Sequence, residues 1–284
     1  MHESTLALVT KNQVWFFEWV NDLRDKDGNR EAYDLCYVPR RSHVTGDIAG
    51  HEAQFVNGEL CVVNTRFSCL CTLDPRSSFV PIWKPPFISE YVAEDRCHLN
   101  GLVVDSDGPK YVTALSETNS AEGWRTVKSS GGVILDVPSG EIVTRGMAMP
   151  HSPRLYRGQL FVLESGLGEL QLVNPKNGQR TTVARLPGYL RGLAFYDRYA
   201  FVGLCKIRDM HTFGGLPIEG VVGELKCALY AIDLTTGNVC GFIEFTKGIE
   251  ELFDIAVLPG VHRPHIIGFE EAVIDGVFVL PTLV

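Results

Sequence analysis

HEAQFVNGELCVVNT, residues 51–65, reads as an apolar strand, a turn at Asn57-Gly58 and a second apolar strand. Asn and Gly adopt positive φ at little cost, which is what a two-residue hairpin loop requires. The unit recurs: HLNGLVVDSDGPKYVTALS (98–116) turns around Asp107-Gly108, HSPRLYRGQLFVLES (151–165) at Arg157-Gly158, and RGLAFYDRYAFVGL (191–204) at Asp197-Arg198. A second hairpin follows each one. In ILDVPSGEIV (134–143), LVNPKNGQRTTV (172–183) and AIDLTTGNVCGF (231–242), a strand ends in Asp or Asn, a polar turn closes with Gly, and another strand begins. LDPRSSFVPIW (73–83) is a variant without the Gly. These predict type I turns with a bulge.

Two hairpins per repeat make a four-stranded blade. The starts at 51, 98, 151 and 191, with a fifth expected at Phe253, are spaced by 47, 53, 40 and 62 residues, a mean close to that of propeller blades. No stretch holds a 3.6-residue apolar period over several turns, so no long helix is expected. The sequence therefore predicts an all-β chain, 1–284 as one β-propeller. Six blades of four antiparallel strands are expected, with five allowed. Head strands (LALVT, QVWFFEWV, AYDLCYV) and tail strands (FDIAVLPG, HIIGF) close the ring in a composite blade.

The bulk composition agrees and excludes several functions. Hydrophobic residues make up 45% of the 284, enough for a sizeable core, and 28 Gly and 15 Pro are spread along the chain. The net charge of −8, with Arg40-Arg41 as the nearest thing to a basic cluster, argues against nucleic acid and anionic membranes as partners. No apolar run reaches bilayer length, and the N-terminus lacks the pattern of a secretion signal. The eight cysteines, none in a CxxC, are expected to be free thiols in a reducing, cytoplasmic compartment. Cys69 and Cys71 read as small core residues.

In a propeller, the start of each first strand and the end of each second strand lie at the same channel mouth. The starts are His51-Glu52, His98 with Asn100, His151, Arg191 and Phe253-Asp254; the ends include Asn64-Thr65-Arg66, Glu117, Glu164, Lys206 and Glu270. The topology thus predicts a ring of imidazoles, guanidinium groups and carboxylates around one opening, the place to look for a site. Three readings stand. In metal-free acid–base chemistry, His98 and His151 act as acid and base, His51 assists, and Asp254 and Glu164 tune them. Arg191 anchors an anionic substrate, with Asn100, Asn64, Arg66, Glu117 and Lys206 completing the pocket. In a metal site, His51, His98 and His151 hold one divalent ion in a hydrolase or oxygenase. In the third reading the ring is structural, its polar groups bonded to one another, and the propeller binds a protein or peptide.

His43, in PRRSHVTGD, is expected in a loop capping the same mouth. The insertion 206–226, with His211 and the Gly214-Gly215 pair, is a candidate lid. Adjacent strand residues face opposite ways, so a His151–Ser152 nucleophile pair is not expected. The expected ligand class is a small molecule, and a homodimer is compatible with everything above.

PRRSHVTGD (39–47), NTRFSCLCTLD (64–74), WKPPFIS (83–89), EDRCHLNGL (94–102), MPHSPR (149–154), LRGLAF (190–195), FGGLPI (213–218) and ELFDIAVLPGV (251–261) resemble a microbial conserved-hypothetical family, a domain of unknown function. The resemblance covers nearly the whole chain. It implies a propeller-like domain, no settled activity, and relatives with further strands ahead of LALVTKNQVWFF. HLNGLVVDSDG (98–108) is remotely similar to SMP-30/gluconolactonase propellers, which implies a metal-ligand role for Asn100, although Arg191 stands where those enzymes want Asn or Asp.

Overall fold

The strand–turn–strand units form where the sequence places them. The computed structural model describes residues 4–20, 33–206, 214–220, 222–269 and 274–279. The first sheet contains β1 (Thr5–Val9), β2 (Gln13–Val20) and β3 (Leu35–Val44). The second has β4 (Gly50–Val56), β5 (Glu59–Asn64), β6 (Cys69–Asp74) and β7 (Ser77–Trp83), and the third β8 (Leu99–Asp105), β9 (Gly108–Ala114), β10 (Gly132–Asp136) and β11 (Ile142–Met147). The fourth has β12 (Pro150–Tyr156), β13 (Gln159–Glu164), β14 (Glu169–Val173) and β15 (Arg180–Arg185), and the fifth β16 (Tyr189–Tyr196), β17 (Tyr199–Cys205), β18 (Ala228–Asp233) and β19 (Val239–Glu244). A last strand, β20 (Pro264–Ile266), pairs in parallel with the outer side of β3, so head and tail share one blade.

The result is an all-β propeller of five four-stranded blades, four of them wholly antiparallel. Five, the smaller of the two counts the repeats allow, replaces six. The difference lies at Phe253: residues 251–258 form no strand and start no blade. They run instead along β16 and β17. A Cβ on Gly192 would stand 2.9 Å from the Asp254 backbone, and one on Gly203 would stand 3.2 Å from Leu252 and Ile255.

Local chemistry explains the hairpins. Asn57 and Gly58 have φ of 49° and 85°, and Arg157 and Gly158 have 51° and 74°, as mirror-image turns require. In the outer hairpins a carboxylate or amide oxygen accepts the backbone N–H two or three residues on: Asp74 from Arg76, Asp136 from Ser139, Asn174 from Lys176 and Asp233 from Thr235.

The middle strands carry consecutive apolar residues, as in Leu60–Val63 and Leu160–Leu163, because both of their faces are covered. Leu160 and Val162 of β13 pack toward blade three, while Phe161 and Leu163 pack toward blade five. Cys61 and Val63 of β5 face blade three, and Leu60 and Val62 face the composite blade. Each such buried aliphatic side chain contributes roughly 1.5–3 kcal/mol. The eight cysteines are free and seven are buried. Burial pushes the thiols of Cys61, Cys69 and Cys97 up to about 12, so they act as small core residues.

PRRSHVTGD is not a loop: it belongs to β3 as far as Val44. A register shift opposite Phe16-Phe17 lets the strand carry Pro39. His211, Glu270 and much of the candidate lid lie outside the described residues. The described part of that lid is packed down, with Leu216 and Ile218 buried against Leu115, Trp124, Met149 and Tyr189. No described helix is long and apolar enough to cross a membrane.

Candidate functional site at the channel mouth

Four inner strands break the alternation rule at the same place. In β4 the partners Gly50↔Asn64 and Ala53↔Val62 leave His51 and Glu52 opposite one residue of β5. In β8, Asn100 is extra; in β12, the shift falls between His151 and Arg154; in β16, Gly192 is extra. Such bulges re-aim side chains and bend the strand. Two require positive φ, 48° at Ser152 and 77° at Gly192.

Consecutive residues therefore reach the same space. A cavity of about 10 Å³ is lined by His51, Glu52, Asn100, His151, Ser152, Arg191, Phe253 and Asp254. That is room for about one water molecule. Strict alternation would send His151 and Ser152 to opposite faces, and the β12 bulge overturns that argument. The two are nonetheless engaged elsewhere: Ser152 Oγ accepts from Gly192 N at 3.1 Å, and His151 Nδ1 lies 3.0 Å from both Met149 O and Ser165 Oγ.

The hydrogen bonds fix which ring nitrogen carries each proton. Met149 O can only accept, and Ser165 Oγ donates to Leu190 O at 2.6 Å, so His151 Nδ1 donates and Nε2 keeps its lone pair. His98 Nδ1 donates to Asp95 Oδ2 at 2.8 Å, and the Trp124 indole N–H donates to the same oxygen at 3.0 Å. Arg191 Nη2 donates to His51 Nε2 at 2.8 Å, which puts the His51 proton on Nδ1. The His51 ring lies 5.5 Å from both the His98 and His151 rings. Burial, reinforced by the Arg191 charge, holds His51 and His151 well below the usual imidazole range, so both are neutral at pH 7.

A second guanidinium ties the inner segments together. Arg154 pairs with Glu52 of β4 and with Asp254 at 3.2 Å, and donates to Leu193 O of β16 at 2.9 Å. The other Glu52 oxygen accepts from Leu102 N of β8 at 3.2 Å. Burial raises the Glu52 carboxyl to about 7 against the pull of Arg154, with Asp254 adding to the rise. Arg191 lies 4.2 Å over the Phe253 ring, which itself sits 5.2 Å from His51.

His51, His98, His151, Arg191 and Asp254 thus do gather at one mouth. Of these, His98 does not line the cavity itself but stands beside it, its ring 5.5 Å from that of His51, and several other expected members do not line it either. Glu164 turns outward to Ala148 N, Gln171 and Arg180; Glu117 pairs with Arg145 and Arg66 with Asp47. The Asn64 carbonyl accepts from Phe67 N, and Lys206 is likewise not part of the lining. Asn100 lines the cavity, but its amide is engaged with Pro150 O and Thr113. His43 bonds Ser78 O in a separate outer cleft of about 620 Å³ that also includes Phe16, Arg41 and Arg76. Among the described residues no group of three or more His, Cys, Asp or Glu is arranged to hold a metal ion. One reason is visible: Arg191 occupies His51 Nε2. Sequence reasoning placed Glu52 at the mouth without giving it a role, and missed Asp95 and Arg154 as site residues. Asp95 stands three residues before His98 in EDRCH, and Glu52 and Arg154 flank the bulges, so the strings contained them without a local rule to single them out.

The sequence profile of a family described as a domain of unknown function (DUF4915) matches residues 1–267. No curated protein matches. Among solved structures, the chain is similar to streptogramin B lyase (12% identity, TM-score 0.44, covering 86% of this chain and 66% of that one). It is similar to the dihydro-heme d1 dehydrogenase NirN in complex with DHE (14%, 0.42, 86% and 44%) and to the computationally designed Ika8 protein (9%, 0.42, 91% and 64%). The chain spans less than two thirds of the length of each.

Proposed function

The chain belongs to the DUF4915 family, a domain of unknown function, and from that premise and the chemistry of the mouth we propose an enzyme that moves protons on a small anionic or carbonyl-bearing molecule. Isomerisation, elimination, cyclisation and hydrolysis all fit this description. The observation that carries the reading is the anchoring of two imidazoles, His98 and His151, by their Nδ1 protons, each with its ring 5.5 Å from that of His51. Each is left with an Nε2 lone pair, the arrangement of a general base. Burial keeps His151 unprotonated at neutral pH, which suits the base. Asp95 orients His98 and stabilises its imidazolium once a proton arrives, which suits the acid. Arg191, already stripped of much water, supplies the charge for an anionic group.

The test is solvent exchange. A panel of 2-oxo acids, 2-hydroxy acids and lactones in D2O is followed by proton NMR. The expected result is enzyme-dependent deuterium incorporation into at least one compound, falling by about 10²–10⁴-fold in His98→Gln and His151→Gln. Exchange that survives both substitutions would sink the assignment and favour a propeller that binds without catalysing.

A further inference from the structure

We infer that Phe253 and Asp254 stand in the place of the ligand, and that the mouth takes a small molecule carrying a planar ring and a carboxylate, the ring against Arg191 and the carboxylate on Arg154. This rests on reading the mouth as a substrate site, moves the anion from Arg191 to Arg154, and adds the chemical class of the substrate.

Three observations carry the inference. First, the two cations belong to strands of the propeller, while Phe253 and Asp254, which cover them, belong to a segment outside its sheets. Arg154 is held by Glu52, Pro153 O and Leu193 O, and Arg191 by His51. Phe253 and Asp254 sit in residues 251–258, which contribute no strand to any sheet. Second, burial is lopsided. The Arg154 side chain is 14% exposed and Arg191 8%, whereas Phe253 is 51% exposed and the Asp254 side chain 54%. The segment packs Leu252 against the core and Ile255 beside Gly203, and leaves Phe253 between them half-exposed with its ring on a guanidinium. Third, the remaining cavity of about 10 Å³ is too small for any substrate, and Phe253 and Asp254 are the half-exposed part of its wall. Moving them uncovers His51, His151 and both guanidinium groups together.

What that movement leaves defines the ligand. Withdrawing Asp254 removes a negative charge and leaves Arg154 and Arg191 facing the opening with Glu52 alone between them, a hole that favours an anion. Withdrawing Phe253 bares a guanidinium face and the edge of His51, surfaces that favour a flat π system. An internal group that fills a site reduces apparent affinity by the fraction of time it is in place, so weakening its hold raises affinity for the external ligand.

The test is calorimetric titration of phenylacetate, acetate and benzyl alcohol into the wild-type chain and into Phe253→Ala/Asp254→Asn. Phenylacetate is expected to bind the double variant at least tenfold more tightly than the wild type, and at least tenfold more tightly than either half-molecule. Arg154→Gln in the double-variant background is expected to remove that tenfold advantage over benzyl alcohol. Phe253→Leu, which keeps an apolar anchor without the ring, guards against simple unfolding and is expected to fall between. Equal phenylacetate affinity in wild type and in variants that melt cooperatively overturns the inference, as does phenylacetate binding no better than acetate. Should that happen while deuterium exchange still depends on His98 and His151, only the ligand class is lost and the catalytic reading stands.

Discussion

The outer hairpins and the inner strands of this propeller are built from the same repeat and obey different rules. Outer turns at Asp74, Asp136, Asn174 and Asp233 use one local device, a side-chain oxygen capping a nearby backbone N–H, and the ion pairs that Asp136 and Asp233 add, with Lys110 and Arg198, stay within the same blade. The inner strands of blades two to five carry a register shift where the channel opens, and each shift aims side chains into a space shared with other blades. Local consistency builds the scaffold, and the repeated local violation coincides with the candidate site. The energetic stakes differ accordingly, because an outer turn loses one exposed hydrogen bond while an inner residue leaves a buried charge unpaired.

The comparison can be broken most directly at Arg154. Arg154→Gln leaves Glu52 buried without its cation and frees Asp254. A loss of about 3–5 kcal/mol is expected in urea denaturation, the range for breaking a buried pair. A loss below 1 kcal/mol would mean that the inner ring is no more demanding than the rim.

A second contrast lies in pH. His51 and His151 are held below their unfolded value, so the unfolded state takes up protons first as pH falls. Their contribution is complete above about 6.5 and is lost below it, at up to about 1.4 kcal/mol per pH unit for each. Glu52 is raised, to about 7, so its contribution runs the other way: present below its unfolded value near 4.5 and lost as pH climbs to about 7. Urea melts between pH 7 and 5 are therefore expected to show a steeper loss on acidification in Glu52→Gln, and a shallower one in His151→Gln. Identical slopes in both variants would break the assignment.

The smallest effect belongs to the rim. Asp74→Ala removes one exposed turn bond and is expected to cost about 0.5–1 kcal/mol in the same denaturation measurement, with no change in the pH slope. A larger cost would show that the outer turns support more than themselves.

The blades were legible because each hairpin carries its own signal: Asn57-Gly58 and Arg157-Gly158 turn where their φ values permit it. The mouth was legible in part, since His51, His151 and Arg191 enter the bulges of their strands at matching positions and a propeller brings matching positions together, whereas His98 stands one residue ahead of that position, before β8 and at φ 50°. Glu164 shows the limit of that reasoning. It ends a second strand as expected, but it alternates with Leu160 and Val162 on the face of β13 turned toward blade three, so its carboxylate bonds Ala148 N and Arg180 away from the cavity: position at a strand end does not by itself fix the face.

The sequence by itself determined the strand-and-turn repeat, the all-β class, the closing of the ring by both ends of the chain and the mouth at which the histidines meet. These follow from turn chemistry and from apolar patterning, which act over a few residues. Only the tertiary structure decided that there are five blades, that Phe253-Asp254 caps the mouth, that Asp95 orients His98 and that Arg154 links four of the inner segments. Those depend on contacts such as Arg154 with Glu52 and Asp254, about a hundred residues apart in the chain, whose pairing no local preference encodes.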